Sequence, residues 1–180
     1  MHTEALIQSL WPEGNSATNP QAYALLDGAR DDRIAPLVWR SNLPHTCLYA
    51  GTLSPALQSA APYLVQLAPE SRLFHTLVEL GWGQAWGVFA VAQADVTLPL
   101  LRKHFRTLLR VQDEQGRVLA FRFYDPRVLR AYLPTCDASE RRRFFGPVQS
   151  MACEDQPAQA LLQFAARPHQ FDLTRLDEVP

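Results

Sequence analysis

Residues 122–129, Arg-Phe-Tyr-Asp-Pro-Arg-Val-Leu, force a change of backbone state two-thirds of the way along the chain. Proline lacks an amide donor and has a fixed φ, so Pro126 suits the first position of a helix and little else nearby. Asp125 supplies the acceptor that a helix N-terminus needs, and a residue before proline avoids the helical region. Upstream, "RVLAFRFYD" alternates: Leu119, Phe121 and Phe123 fall on one side, Val118, Ala120, Arg122 and Tyr124 on the other. This pattern predicts a strand with one wholly apolar face against the core. Downstream, "PRVLRAYLP" predicts a helix that buries Val128, Leu129 and Tyr132 and stops before Pro134. Arg127 then sits near the positive end of that helix, which costs a few tenths to about 1 kcal/mol unless a carboxylate answers it. Asp27 and Asp125 are the candidate partners.

The rest of the chain is punctuated by prolines and glycines, without internal repeats or a Gly/Ser linker. Residues 3–11 read as a short helix. "AYALLDGAR", "HTCLYAG", "PYLVQLA" and "AWGVFAVAQ" read as strands bounded by turn residues, and "TLSPALQSAAP" as a loop or a single helical turn. "SRLFHTLVELGWG" spaces Leu73, Leu77 and Leu80 as a helix that Gly81 stops. In "DVTLPLLRKHFRTLLRVQDEQG", Asp95 is the expected cap of a helix whose stripe is Leu101, Phe105 and Leu108, with "DEQG" as a turn. "DASERRRFFGP" carries a capping box, Asp137 with Glu140, and ends at Gly146. The expected fold class is α/β: a mixed β-sheet of about five strands flanked by helices, with a short helical C-terminal extension. Residues 1–150 form the expected main domain and 151–180 a short helical or extended tail.

Charge is unevenly spread. Residues 101–150 hold eleven basic against five acidic side chains, while both flanks are acidic, and sixteen of the seventeen cations are arginine. Such a surface offers planar donor forks for carboxylates or phosphates. Three cysteines without a CxxC pair suit a reducing compartment. The N-terminus lacks the pattern of a secretory signal, and the apolar run "WGVFAVA" is too short to span a bilayer. A cytoplasmic protein with no membrane association is expected.

Taken together, "FRFYDPRVLRAYLP", the following "FFGPV", and the upstream "YALLDGAR", "LYAGTLSPALQSAAPYLVQL" and "LRKHFRTLLRVQDEQGRVLAFRFYDPRVL" resemble the adaptor or effector-chaperone family of bacterial type VI secretion, long known only as a domain of unknown function. The resemblance runs from about Tyr23 to Val148. It implies a non-enzymatic protein with two partners, a secreted effector and the VgrG spike, and it implies no catalytic residue and no cofactor. Its most specific block, with Asp27 upstream, makes Asp27, Arg122, Tyr124, Asp125, Pro126 and Arg127 the structural motif. Some members carry a longer helical region after this block, whereas only about thirty residues follow Met151 here.

The residues themselves offer little chemistry. GxSxG, HExxH, a Walker loop and metal-spaced Cys/His groups are absent, and His45, His75 and His104 are separated in sequence. The glycines of "GWGQAWG" are wrongly spaced for a phosphate loop, so a Trp-bearing turn is expected. Arg102, Arg106 and Arg110 recur every four residues, a basic ridge that must face water or acids. Interface hot spots favour Trp and Arg, which selects Trp82, Trp86, Arg102 and Arg106 as expected partner contacts. Two other functions follow from the same residues: a nucleic-acid-binding domain using the basic 101–150 segment, although no reader motif is present, or a small hydrolase assembled from distant residues.

Overall fold

Seven strands pair side by side in the computed structural model, and every pairing is antiparallel. The described residues are 2–12, 20–113, 115–156, 160–167 and 170–177. Along the chain, α1 (His2–Leu10) precedes β1 (Gln21–Asp27), α2 (Ile34–Trp39), β2 (His45–Cys47), α3 (Pro55–Ser59) and β3 (Pro62–Gln66). Then come α4 (Arg72–Thr76), continued by a π-helical turn Leu77–Gly81, β4 (Gly87–Ala92) and α5 (Leu98–Leu108). A hairpin of β5 (Arg110–Gln112) and β6 (Val118–Ala120) leads to α6 (Pro126–Tyr132) and α7 (Ala138–Phe145). The chain closes with β7 (Val148–Glu154), β8 (Ala160–Arg167) and β9 (Gln170–Asp177). The sheet order is β2-β3-β1-β4-β7-β8-β9, and β5-β6 stand apart as a second, two-stranded sheet.

Both faces of the large sheet are covered, which is why β1, β3 and β4 are almost continuously apolar rather than alternating. Ala22, Ala24, Leu26, Val65, Phe89 and Val91 point to one side, where Leu6 and Leu10 of α1, Ile34 and Val38 of α2, and Leu73 and Phe74 of α4 cover them. Tyr23, Leu25, Leu64, Val88, Ala90 and Met151 point to the other, under Leu101 and Phe105 of α5, Leu129 of α6, and Phe144 and Phe145 of α7. Phe123 sits at the middle of this second layer, stacked on Phe105 with ring centroids 5.5 Å apart. Among the described residues, no helix is long and apolar enough to cross a membrane.

Several expectations are corrected here. The sheet is neither mixed nor about five strands wide: it has seven strands, all antiparallel. The C-terminal extension is not helical; β7, β8 and β9 form a meander that completes the sheet. Ala, Leu and Gln in "QALLQFAAR" favour helix locally, but as a strand this segment sends Leu161 into one core and Leu162 and Phe164 into the other, and tertiary burial outweighs propensity. The strand "RVLAFRFYD" is cut short at Ala120, and its apolar face meets the core only in part: Phe123, in the turn beyond the strand, is buried and Phe121 packs against the core half-buried, but Leu119 is 46% exposed. Finally, α5 is capped by Thr97, whose hydroxyl accepts the Leu100 N–H at 3.4 Å, and not by Asp95.

Candidate functional site

The junction read first in the sequence folds as two ion pairs. The Asp125 carboxylate caps α6 by accepting the Arg127 N–H at 2.9 Å, and the Arg127 side chain folds back on it, Nε to Oδ1 at 2.9 Å. Pro126 is buried in the first turn. Burial works against ionisation of Asp125, but the hydrogen bonds and charge of Arg127, with the charge of Arg122 behind them, hold its carboxyl below the usual range. Arg122 points the opposite way and pairs with Asp27 at the end of β1, whose carboxylate also accepts the Ala29 N–H at 3.2 Å. Asp27 is 1% exposed, so the pair ties the chain just after β6 to the centre of the large sheet. Beside it Tyr124 is buried, and burial first, then neighbouring Tyr49 and Asp27, push its phenol well above the ordinary range.

The Asp27–Arg122 pair is part of the lining of an open groove of about 880 Å³. Leu48, Tyr49 and Leu53 after β2, Leu57 and Ala60 at α3, Arg106 and Leu109 at the α5 end, Arg110, and residues 118–122 complete it. A second groove of about 850 Å³ shares Arg110, Val118 and Phe121 with the first and adds Leu108, Val111, Tyr132, Glu140 and Phe144. Both grooves therefore border the hairpin. All six residues of β5 and β6 are exposed, among them Val111, Val118 and Leu119. Exposed apolar surface between polar rims marks interaction sites.

Of the expected contact residues, Arg102 and Arg106 line one small pocket together with Lys103, whereas the two tryptophans lie apart from them. Arg106 reaches the first groove. Arg102, one turn earlier, donates from Nε to the Cys47 carbonyl at 2.9 Å and from its guanidinium to that of Tyr49 at 3.3 Å, so it also ties α5 to the segment after β2 that lines the groove. Trp82 and Trp86 pack with the core on the opposite face of the sheet. Trp86 is 3% exposed and covered by the Arg33 guanidinium 5.0 Å from its ring; Trp82 is half-buried. The turn bearing them presents amides as a phosphate loop does, but these are filled from within: the buried Glu154 carboxylate accepts the Gly83 N–H at 2.5 Å and the Ala85 N–H at 3.0 Å. Burial raises the Glu154 carboxyl, while those two amides pull it down.

Reactive groups are sparse around the grooves. Burial pushes the Cys47 and Cys136 thiols up and that of Cys153 up to about 12, away from the thiolate that nucleophilic chemistry requires. Among the described residues there is no group of three His, Cys, Asp or Glu that could hold a metal ion. Among the described residues, Asp27 is the one carboxylate lining the 880 Å³ groove, and it is already committed to Arg122. What this surface offers a ligand is carbon, arginine donors and free backbone. The sequence reading missed the hairpin because it assigned Val118 and Leu119 to a strand of the main sheet; the near-repeat of Arg-Val on either side of "DEQG" was the available signal.

A family model described as "Domain of unknown function (DUF4123)" matches residues 22–143. No curated protein and no solved structure matches the chain.

Proposed function

This chain belongs to the DUF4123 family of unknown function, and on that premise we propose that it is a non-enzymatic adaptor of bacterial type VI secretion, which binds a toxic effector in the producing cell and delivers it to the VgrG spike. The observation that carries this reading is the β5–β6 hairpin, fully exposed, apolar on one side and bordered by two grooves. The sequence block on which the resemblance rests gives the hairpin its footing: Arg122, two residues past the end of β6, anchors it to β1, and Asp125 starts the helix whose Tyr132 lines the second groove. Such residues serve the position of a surface rather than a reaction.

The test is a pull-down of the tagged full chain from its native host. The expected result is co-purification of a toxin encoded beside it together with VgrG. Failure to retain either protein, or turnover of a small substrate that depends on Asp27, would overturn the reading.

A further inference from the structure

We infer that the outer edge of β6 is a strand-addition site, which takes an extended segment of the partner polypeptide with apolar and acidic side chains in alternation. The inference rests on the adaptor reading and names the chemistry of what the groove holds.

The backbone register decides which groups are free. Phe121 N–H donates to the Leu109 carbonyl at 2.9 Å and Asp113 N–H to that of Arg117 at 3.1 Å, and Val111 faces Leu119 between them. Residues 117, 119 and 121 therefore turn their backbone polar groups toward β5. By antiparallel alternation, Val118, Ala120 and Arg122 turn theirs away. The Arg122 carbonyl accepts the Asp125 N–H at 2.9 Å; among the described residues, the N–H groups of all three residues, and the carbonyls of Val118 and Ala120, have no backbone partner and remain for an added strand. Side chains alternate across a strand, so a groove over one face would be lined by every second residue. Here residues 118–122 line it without a gap, as they do when the open space runs along the strand's edge. A two-stranded sheet is marginal alone, so a third strand adds where the hairpin is weakest.

Charge selects the occupant. Among the described residues neither Arg106 nor Arg110 takes part in an ion pair, and the only carboxylate lining the groove is already neutralised by Arg122. The unanswered charge is positive, and the same groove is lined by the apolar side chains of Leu53 and Leu57. Carboxylates toward Arg106 and Arg110, with apolar side chains toward the leucines, satisfy both. A nucleic-acid strand would use the arginines but leave the leucines unmatched.

The test is selection of a random-peptide display library against the purified full chain, followed by fluorescence anisotropy of the enriched peptides. Enriched sequences should alternate Val, Ile or Thr with Asp or Glu. Ala120→Pro removes one outward N–H and spares the ladder to β5, so affinity should fall about tenfold, with the circular dichroism spectrum unchanged. Methylation of alternate peptide amides should lower affinity for the unaltered protein in one register only, a readout independent of any variant's folding. Arg106→Glu with Arg110→Glu should reverse the selected charge. Enrichment of helically spaced peptides, failure to enrich any, or anisotropy gained only with a single-stranded DNA probe would overturn the inference. The two readings separate cleanly: an Ala120→Pro chain that still retains effector and VgrG at full yield removes this edge and leaves the adaptor reading standing, whereas a wild-type chain that retains neither removes the adaptor reading.

Discussion

Arg122 reaches Asp27 across 95 positions of sequence and joins the foot of an exposed hairpin to the most buried strand of the sheet. The two partners are unequally placed: Asp27 is 1% exposed, while the Arg122 side chain is 43% exposed. Removing either should therefore have different consequences. Arg122→Ala leaves a buried carboxylate with the Ala29 N–H as its remaining partner among the described residues and should cost about 2–4 kcal/mol. Asp27→Ala frees an arginine that can turn to water and should cost about 1–2 kcal/mol. Urea denaturation of both variants and the double variant checks this, the double costing less than the sum. Equal losses would mean that the pair is not the asymmetric anchor described.

Gly87 opens β4 where it lies against β1, and a Cβ there would run into the Leu25 carbonyl, a backbone atom that cannot swing aside. Gly51, by contrast, has φ +80 and open space around the missing Cβ. Gly87→Ala should cost about 3 kcal/mol or prevent soluble expression, because overpacking displaces two central strands. Gly51→Ala should cost about 1 kcal/mol, from backbone conformation alone. Thermal denaturation of the two variants separates collision from strain.

His104 lies half-buried on α5 with Nε2 2.8 Å from the Phe144 carbonyl, so the neutral ring carries its proton on that nitrogen and donates. Burial pushes the imidazole below its ordinary value of 6.5, opposed by that hydrogen bond. A base whose folded value is depressed binds protons less well folded than unfolded. Its contribution is then complete above about 6.5 and is lost as the pH falls from there through the folded value. Urea midpoints between pH 5 and 8 should decline on the acid side, and His104→Gln should flatten that decline. Asp125, also depressed, has the same sign, but its loss begins only as the pH drops below about 3.8, so a decline that starts near 6.5 belongs to His104.

Local chemistry made some of this architecture readable and hid the rest. Asp125-Pro126 and Asp137 with Glu140 start helices as expected because a cap is satisfied within four residues. Strands β1, β3 and β4 are legible as short apolar runs between turn residues. Alternation in residues 118–124 is not sufficient, since an apolar face turned to a partner reads the same as one turned to a core. Residues 160–167 failed for another reason: their helix-forming composition is overruled by pairing with β7 on one side and β9 on the other, contacts invisible in sequence. The partner of Arg122 was hidden because two arginines flank Asp125, and only the direction of the turn assigns Arg127 to Asp125 and Arg122 to Asp27.

The hairpin is where apolar residues serve something other than folding. Val118 is 60% exposed, Leu119 46% and Val111 36%, so each already meets water. Val111 and Leu119 face one another across the strands, a pair worth about 0.2–1 kcal/mol, and Val118 lines both grooves. Val118→Asp should therefore shift stability by no more than about 0.5 kcal/mol. If the hairpin holds cargo, the same change puts a carboxylate where an apolar contact belongs and beside the strand edge that acidic segments would approach. Retention of effector should fall about tenfold or more, the loss of one hot spot. Val118→Lys should be as harmless to stability and milder for binding, because its charge matches the arginines already present. Urea midpoints and co-purification yields of the two variants give the answer: a large loss of stability with Val118→Asp would make the residue part of the core after all, and unchanged retention with both would move the cargo surface elsewhere on the molecule.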